Sequence, residues 1–254
     1  MSSFWYRLAS RARVGWASST TFATIGTAVT TLLVLPLLDI GFDVLMGSDL
    51  SAPDLVRTGY AAALVALTVS VAGGIVGAVA ADRNLGVFQE VHTRRRLDVA
   101  YWIAVAIVPA VLAVLTAAAA IGGVFALSPT HEGAMLARVI VLAPVALVCG
   151  LLLGVAAAGI GVDLPDPYLG STIIGAVLPL LAGVIVPLDD CPNWLRAVSH
   201  VVPMSGTLAA IDTPGAGPLI ARDLLVAAVW TVIGLAATRH AVVRLRAGLR
   251  RDVV

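Results

Sequence analysis

Lysine is absent from this chain, and charge of either sign is scarce. All sixteen basic residues are arginines, and charged residues make up only 12% of the 254 positions. A soluble domain carries about 25% charged residues and about 45–50% apolar ones. Here 59% of the residues are hydrophobic and the mean hydropathy is +0.99. These proportions exclude a water-soluble globule with an ordinary surface.

Residue types that carry catalytic, metal or redox chemistry are few and scattered. The two cysteines, Cys149 and Cys191, give neither a disulfide framework nor metal-ligand spacing. None of the four histidines has a partner at ligand spacing, and no Gly-x-x-x-x-Gly-Lys-Ser/Thr phosphate loop occurs. We therefore predict no catalytic residue, no metal site and no bound cofactor. Any nucleotide hydrolysis is expected on a separate polypeptide.

Long uncharged stretches dominate the rest of the sequence. Crossing the hydrocarbon core of a membrane takes about 20 helical residues. Six stretches are interpreted as spans: Ser18–Leu38, Thr58–Ala81, Val99–Leu127, Val139–Val162, Tyr168–Leu188 and Leu224–Thr238. The sequence therefore predicts an all-α polytopic membrane protein with one transmembrane domain over residues 1–254.

The segment before the first span, residues 1–17, interleaves large apolar side chains with arginines. Phe4, Trp5, Leu8 and Trp16 are the apolar members. This composition is typical of a helix that lies in the headgroup layer. A disordered basic tail is the alternative.

Within these predicted bounds the six spans contain no Asp, Glu, Lys, Arg or His. Ion-coupled transporters need ionisable groups inside the membrane. Membrane enzymes generally need a histidine, a carboxylate or a metal ligand at the active site. The absence argues against both classes. It leaves a passive channel or scaffold, or a transporter that draws its energy from a partner.

The arginines are distributed unevenly between the two sides. Positively charged loops face the cytoplasm, which places both termini inside a cell membrane and an acidic loop outside, with Asp39, Asp43, Asp49 and Asp54. Only Arg57, Arg138, Arg196 and Arg222 then lie outside. Twelve arginines lie inside: Arg7, Arg11, Arg13, Arg83, Arg94, Arg95, Arg96, Arg239, Arg244, Arg246, Arg250 and Arg251.

Two pairs of glycines are spaced four residues apart in predicted spans. Gly73 and Gly77 form one pair, and Gly150 and Gly154 form the other. Small residues let transmembrane helices approach closely. These positions are predicted to pack helices together, either within one bundle or between two copies.

The segment after the second span, within residues 82–98, carries the first distinctive motif. An acidic-Arg pair is followed by a glycine, a hydrophobic pair and a glutamate, as Asp82, Arg83, Gly86, Val87, Phe88 and Glu90. An amphipathic turn with one aromatic knob, Phe88, is suited to a groove on a partner. A plain basic loop is the alternative.

This motif resembles the coupling segment of ABC-2 type transporter permeases, which docks as a short cytoplasmic helix on the ATP-binding subunit. Three departures stand out. Asp82 replaces the usual Glu, Gly86 is not followed by Thr, and the run from Thr93 to Arg96 lacks the usual Pro. They leave open whether the subunit pairs with itself or with a different permease.

The segment after the fifth span, residues 189–222 with the preceding Pro187, carries a second motif. It resembles the family's Pro, Pro-x-Trp-Leu and later Pro, here Pro187, Pro192, Trp194, Leu195 and Pro203. A broken apolar segment at membrane depth is tolerated only where protein or a cavity covers its backbone. We interpret these residues as a re-entrant extracytoplasmic gate, with an interfacial loop as the alternative. Residues 223–254 form the last span and a basic tail.

The resemblance implies the membrane half of an ABC exporter. Its expected partners are two ATP-binding subunits, which carry ATP and Mg²⁺, together with a second permease chain and the lipid bilayer, and no nucleic acid. Size and the lack of a large external domain resemble the daunorubicin and multidrug-resistance export permeases. Apolar spans suit a hydrophobic or amphipathic cargo such as a drug, lipid or peptide. Polysaccharide or lipid-linked glycan exporters are the near alternative, although only 6% of residues are aromatic.

Overall fold

The computed structural model describes residues 2–95, 97–213 and 215–247. Arg96, Arg250 and Arg251, assigned above to the inner side, lie outside the described residues. In the described part the chain is helical throughout, and its helices are α1 Ser2–Ala17, α2 Ile25–Asp49, α3 Leu55–Asn84, α4 Val87–Arg94, α5 Val99–Leu127, α6 Gly133–Gly161, α7 Leu169–Ala182, α8 Asn193–Ser199, α9 Ser205–Asp212 and α10 Gly217–Arg246.

Five of these helices are long and apolar enough to cross a membrane among the described residues: α2, α3, α5, α6 and α10. The predicted fifth span is shorter than expected. α7 has 14 residues, or about 21 Å at 1.5 Å per residue. It ends because Gly183 adopts the left-handed conformation (φ +76°) that glycine favours.

The first span is displaced relative to its prediction, Ser18–Leu38. Thr24 caps α2 through a reciprocal capping box with Thr27, so the helix begins at Ile25 and continues to Asp49. Asp39 and Asp43 are therefore helical residues of a candidate span, and their assignment to an acidic loop was wrong. Hydrophobic periodicity marks the apolar stretch, but the cap sets where the helix begins.

The predicted absence of ionisable residues from the spans does not hold for the helices as the structure bounds them. α10 begins at Gly217, so it includes Arg222 and Asp223. α2 likewise includes Asp39 and Asp43. In α10 the helix extends past its uncharged stretch because Arg222 and Asp223 both find hydrogen-bond partners there.

α3 forms the centre of the bundle and packs against α2, α5, α6 and α7. Leu64, Val71 and Ile75 on α3 are fully buried. At one end of α3 the Asp54 carboxylate caps the helix by accepting from the backbone N–H groups of Val56 and Arg57, at 2.8 and 3.1 Å. We call this the Arg57 end of the bundle, and the opposite end the α4 end.

Glycines of α6 allow its backbone to approach α3 closely. A Cβ at Gly150 would lie 2.8 Å from the carbonyl oxygen of Thr68, and one at Gly154 would lie 2.9 Å from the Cα of Ala72. Gly73 and Gly77 differ, because nothing lies within 4 Å of a Cβ added there. Within this chain only the second glycine pair is in close helix contact.

Gly150→Ala should therefore separate α6 from α3 and destabilise the bundle by about 1–3 kcal/mol, the usual cost of overpacking. The measurement is the apparent Tm of the purified chain in a mild detergent. Gly122→Ala in α5 is the matched control, since a Cβ there meets open space and alanine is the better helix former. Equal Tm values for the two variants would contradict the close contact.

Candidate docking site at the α4 end

A left-handed glycine starts the short helix α4. Gly86 has φ +76°, which reverses the chain immediately after α3 and lets α4 begin at Val87. The carbonyl of Gly86 accepts from the N–H of Glu90 at 3.1 Å and so closes the first turn. The predicted coupling segment is thus a helix of eight residues that leaves the end of α3 at a sharp turn.

The inward face of α4 is aromatic and buried. Phe88 is 1% exposed and stacks on His92 with ring centroids 4.0 Å apart. Tyr101 at the start of α5 meets the edge of the same pair, 6.0 Å from the Phe88 ring. Phe88 was predicted to be the exposed knob, and this was wrong: the ring holds α4 onto the bundle.

Asp82 is also turned inward. Its carboxylate accepts from Arg11 of α1 at 2.7 Å and from the hydroxyl of Tyr101 at 2.9 Å. Arg7 of α1 makes a second ion pair, with Asp98 at the N-terminus of α5. Two ion pairs therefore fix α1 across the α4 end. The Asp82 carboxylate is bound to groups of its own chain and is not exposed for contact with another protein.

Arginines from two other helices complete the anchoring of α4 and its neighbours. Arg83 donates to the carbonyl oxygens of Gly161 and Leu164, at 3.2 and 2.6 Å, beyond the end of α6. Arg246 near the end of α10 donates to the carbonyl oxygens of His92 and Thr93, at 2.9 and 2.7 Å. The C-terminal carbonyls of α4 are thus satisfied by α10.

The outward face of α4 is small and mixed in character. Leu85, in the turn before α4, is 77% exposed, and Val87 and Gly86 lie beside it on the surface. Glu90 is exposed and pairs with Arg94 one turn later, at 3.1 Å. Of the predicted docking residues, Gly86, Val87 and Glu90 lie on this face. We define the docking face as Leu85, Gly86, Val87, Glu90 and Arg94.

Leu85 was not singled out by the sequence. Gly86, which follows Leu85, indicates a turn. Because α4 turns its own apolar face towards the bundle, the apolar side chain of Leu85 in the preceding turn is left exposed. Phe88 and His92 form that inward face of α4. The turn at Gly86 could be read from the sequence. The exposure of Leu85 could not, because it depends on which face of α4 is turned inward.

Burial determines the protonation of His92. The ring is fully buried, its Nδ1 lies 2.9 Å from the carbonyl oxygen of Phe88, and its Nε2 has no partner among the described residues. Desolvation lowers the pKa of His92 below its ordinary value of 6.5, against the raising effect of the Phe88 carbonyl. His92 is therefore a neutral, structural histidine.

The predicted gate residues lie in the segment that follows α7, near the Arg57 end, and differ in burial. Pro187 precedes a 3-10 turn at Leu188–Asp190, and Pro192 precedes α8. Trp194 is exposed on α8 and Leu195 is half-buried, whereas Pro203 is buried in the turn after α8. Of Trp194 and Pro203, only Pro203 lies inside the bundle.

Arg57 holds the segment that contains these residues. Its Nε donates to Asp212 at 2.8 Å, and its Nη1 donates to the carbonyl oxygens of Gly183 and Val184 at 3.1 and 3.2 Å. Arg138 of α6 donates to the carbonyl oxygen of Ile211 at 2.6 Å. Sequence reasoning missed both roles because the partners are more than 70 residues away.

A second polar cluster lies between α9 and α10. Asp223 is completely buried and accepts from the backbone N–H and the hydroxyl of Thr207, at 2.7 and 2.9 Å. Its neighbour Arg222 bonds to His200 and Ser205. The uncharged stretch predicts a span that begins at Leu224, so the sequence does not predict this cluster.

Five helices that are long and apolar enough to cross a membrane, with the short helix α4 folded against one end of the bundle, define the class: a multi-pass helical membrane protein. Residues 5–212 match the model of a family described as ABC-2 type transporter. None of the curated proteins matches the chain. The chain belongs to the ABC-2 type transporter family, as the membrane component of an ABC transporter and not a catalytic subunit.

Asp82→Asn should release α1 from the α4 end, because it leaves the largely buried Arg11 without its carboxylate. Losing one partner of a buried pair costs about 3–5 kcal/mol. Hydrogen exchange of the α1 amides measures the release. The control is Asp163→Asn, which breaks the more exposed pair with Arg244 and should cost under about 1 kcal/mol. Similar exchange in both variants would contradict the anchoring role.

The depressed pKa of His92 makes the stability of α4 depend on pH. The unfolded chain takes up a proton as pH falls below about 6.5, whereas folded His92 does so only at lower pH. Stability should therefore be full above pH 7 and decline from about pH 6.5 downwards. The measurement is amide exchange across Val87–Arg94 at pH 7.5 and 5.5, corrected for intrinsic rates.

His92→Phe should flatten that decline, because a phenyl ring keeps the stack on Phe88 and cannot protonate. The exposed His240 provides the control: His240→Gln should leave the decline in place. A decline of equal size in His92→Phe would assign the pH dependence to another group.

Proposed function

We propose that this chain is the permease subunit of an ATP-driven exporter, and that a separate ATPase binds the docking face. The observation that carries the proposal is the arrangement of α4. Its aromatic side is buried against Tyr101, while Leu85 and Val87 stand exposed beside the Glu90–Arg94 pair. An apolar tip with flanking charges suits a groove on a soluble partner.

The assembly in this proposal contains two permease chains and two ATPase subunits, and ATP and Mg²⁺ are bound by the ATPases. When the ATPases close on ATP, they would press on Leu85 and Val87. α4 follows α3 after a single turn, and Arg83 of α3 is bonded to the end of α6. A displacement of α4 would therefore move α3 and α6 together.

In the proposed topology the chain crosses the cell membrane six times, with both termini in the cytoplasm. The five long helices are five spans. The sixth is α7 continued by the chain from Gly183 to Leu188. The turn between α8 and α9 then re-enters the outer half of the membrane, where α10 and α3 cover its backbone as a buried loop requires.

The cargo we propose is hydrophobic or amphipathic. A cavity of about 320 Å³ lies between α6, α7 and α10, below the turn that holds Pro203. Apolar side chains dominate its lining, among them Leu153, Ile174, Leu178 and Trp230. A glycan would need polar partners that these residues do not supply, so the cavity favours a drug-like compound, a lipid or an apolar peptide over a polysaccharide.

Leu85→Asp tests the docking face. A carboxylate at the apolar tip should weaken ATPase binding by tenfold or more, since an unpaired charge would be buried in the interface. The chain is purified gently from native membranes, and co-purifying proteins are identified by mass spectrometry. The matched control is Leu127→Asp, because Leu127 is 85% exposed at the end of α5 that points away from α4. Phe88→Asp is not suitable, because it would disrupt the buried stack.

Recovery of a soluble ATPase with the parent chain and with Leu127→Asp, but not with Leu85→Asp, supports both the function and the site. An ATPase retained by Leu85→Asp moves the docking site elsewhere. A parent chain that carries no ATPase and transports by itself in vesicles would refute the exporter and favour a channel.

A further inference from the structure

The turn between α8 and α9 is held in a conformation that the chain would not adopt alone. Met204 has φ +90° and is completely buried. A non-glycine residue persists in the left-handed region only where the surrounding structure holds it there. Trp230 of α10 donates to the carbonyl oxygen of Val201 at 2.9 Å, and Thr68 of α3 donates to the Met204 sulfur at 3.3 Å. The surrounding contacts maintain the strained turn.

Asp223 is the principal contact between this segment and α10. Its carboxylate accepts two hydrogen bonds from Thr207, and a third from Arg222 at 3.1 Å. Arg222 also donates to the Ser205 hydroxyl at 2.6 Å. A fully buried carboxylate is tolerated only when such partners satisfy it. The start of α9 is therefore tied to the first turns of α10.

The outermost member of the cluster is His200, which is exposed at the end of α8. Its Nδ1 lies 2.7 Å from Nη1 of Arg222. A guanidinium group has donors only, so Nδ1 must be the unprotonated acceptor and the ring must be neutral. A protonated ring would bring a second N–H donor and a second positive charge against Arg222, and the contact would break.

On α10 the facing cation Arg222 is paired with Asp223, whose carboxylate also accepts two hydrogen bonds from Thr207. The 3-10 turn that packs against α8 carries the exposed Asp190. Arg196 of α8 donates to carbonyl oxygens of its own loop, at Leu188 and Cys191. α7 contains no ionisable residue, and α9 contains only Asp212, which pairs with Arg57.

We propose that His200, Arg222 and Asp223 form a pH-sensitive clamp that holds the α8–α9 turn against α10, and that protonation of His200 opens it. The clamp is inferred from the geometry of these residues. We infer further that the clamp opens the gate segment when the outer medium is acidic, and this role rests on the proposed function.

The clamp can be tested on the full-length chain in lipid nanodiscs without an ATPase or a cargo. Amide hydrogen exchange is measured for residues 199–212 at pH 7.5 and 5.5, each rate divided by the intrinsic rate at that pH. Free histidine takes up a proton near pH 6.5. If protonation requires an open clamp, the opening constant should rise about tenfold between the two pH values.

Two variants and a control make the result specific. His200→Gln keeps an acceptor for Arg222 but cannot protonate, so exchange should no longer depend on pH. Arg222→Gln removes the facing cation, which should give faster exchange at both pH values without the tenfold change. His131→Gln alters an exposed histidine in the loop between α5 and α6 and should behave as the parent.

A pH effect of equal size in His200→Gln, or none in the parent chain, would overturn the clamp. Because the measurement involves no transport, a negative result leaves the exporter untouched. Conversely, failure to recover an ATPase would leave the clamp standing.

Discussion

The close contact of α6 on α3 is the constraint on which the rest of the bundle depends. With glycines at 150 and 154, the two backbones approach to a distance at which a single methyl group would meet Thr68 or Ala72. α3 has 30 residues, about 45 Å at 1.5 Å per residue. This helix holds α4 at one end through its direct continuation, and at the other end Arg57 holds both Gly183 and Asp212. The proposed docking face and the proposed gate segment, residues 183–212, are therefore attached to opposite ends of one helix.

The sequence predicted a short helix directly after α3, because Gly86 and the surrounding polar residues are local signals. It could not predict which face of the helix is turned inward. Phe88 is apolar and suits an exposed knob as well as a buried anchor. The choice depends on Tyr101, which lies thirteen positions later and meets Phe88 only once α5 has packed. Local pattern thus identified the element, and a tertiary contact decided the roles of Phe88 and Leu85.

The span boundaries show the same limit and bear on function. Apolar stretches located all five long helices, but only α3 and α5 agree with their predicted bounds to within three residues at both ends. Helix ends are set by caps and by partners distant in sequence. Because α10 starts before Leu224, Arg222 and Asp223 belong to a spanning helix. The argument that charge-free spans exclude ion coupling therefore loses its premise. Family membership, and not the absence of charge, now supports transport powered by a partner.

The absence of lysine has a structural counterpart in how the arginines are used. Arg57, Arg83, Arg138 and Arg246 each donate to carbonyl oxygens at or just beyond the end of a helix, and three of them bind two carbonyls at once. Those carbonyls have no intrahelical donor, and they carry the negative end of the helix dipole. A guanidinium group presents five donors in a planar fork, whereas an ammonium group is a compact point charge. These helix ends are thus closed by arginines from neighbouring helices. The same contacts fix α4 and the gate segment to the bundle, so the chemistry that satisfies the helix ends also positions the two segments proposed to move.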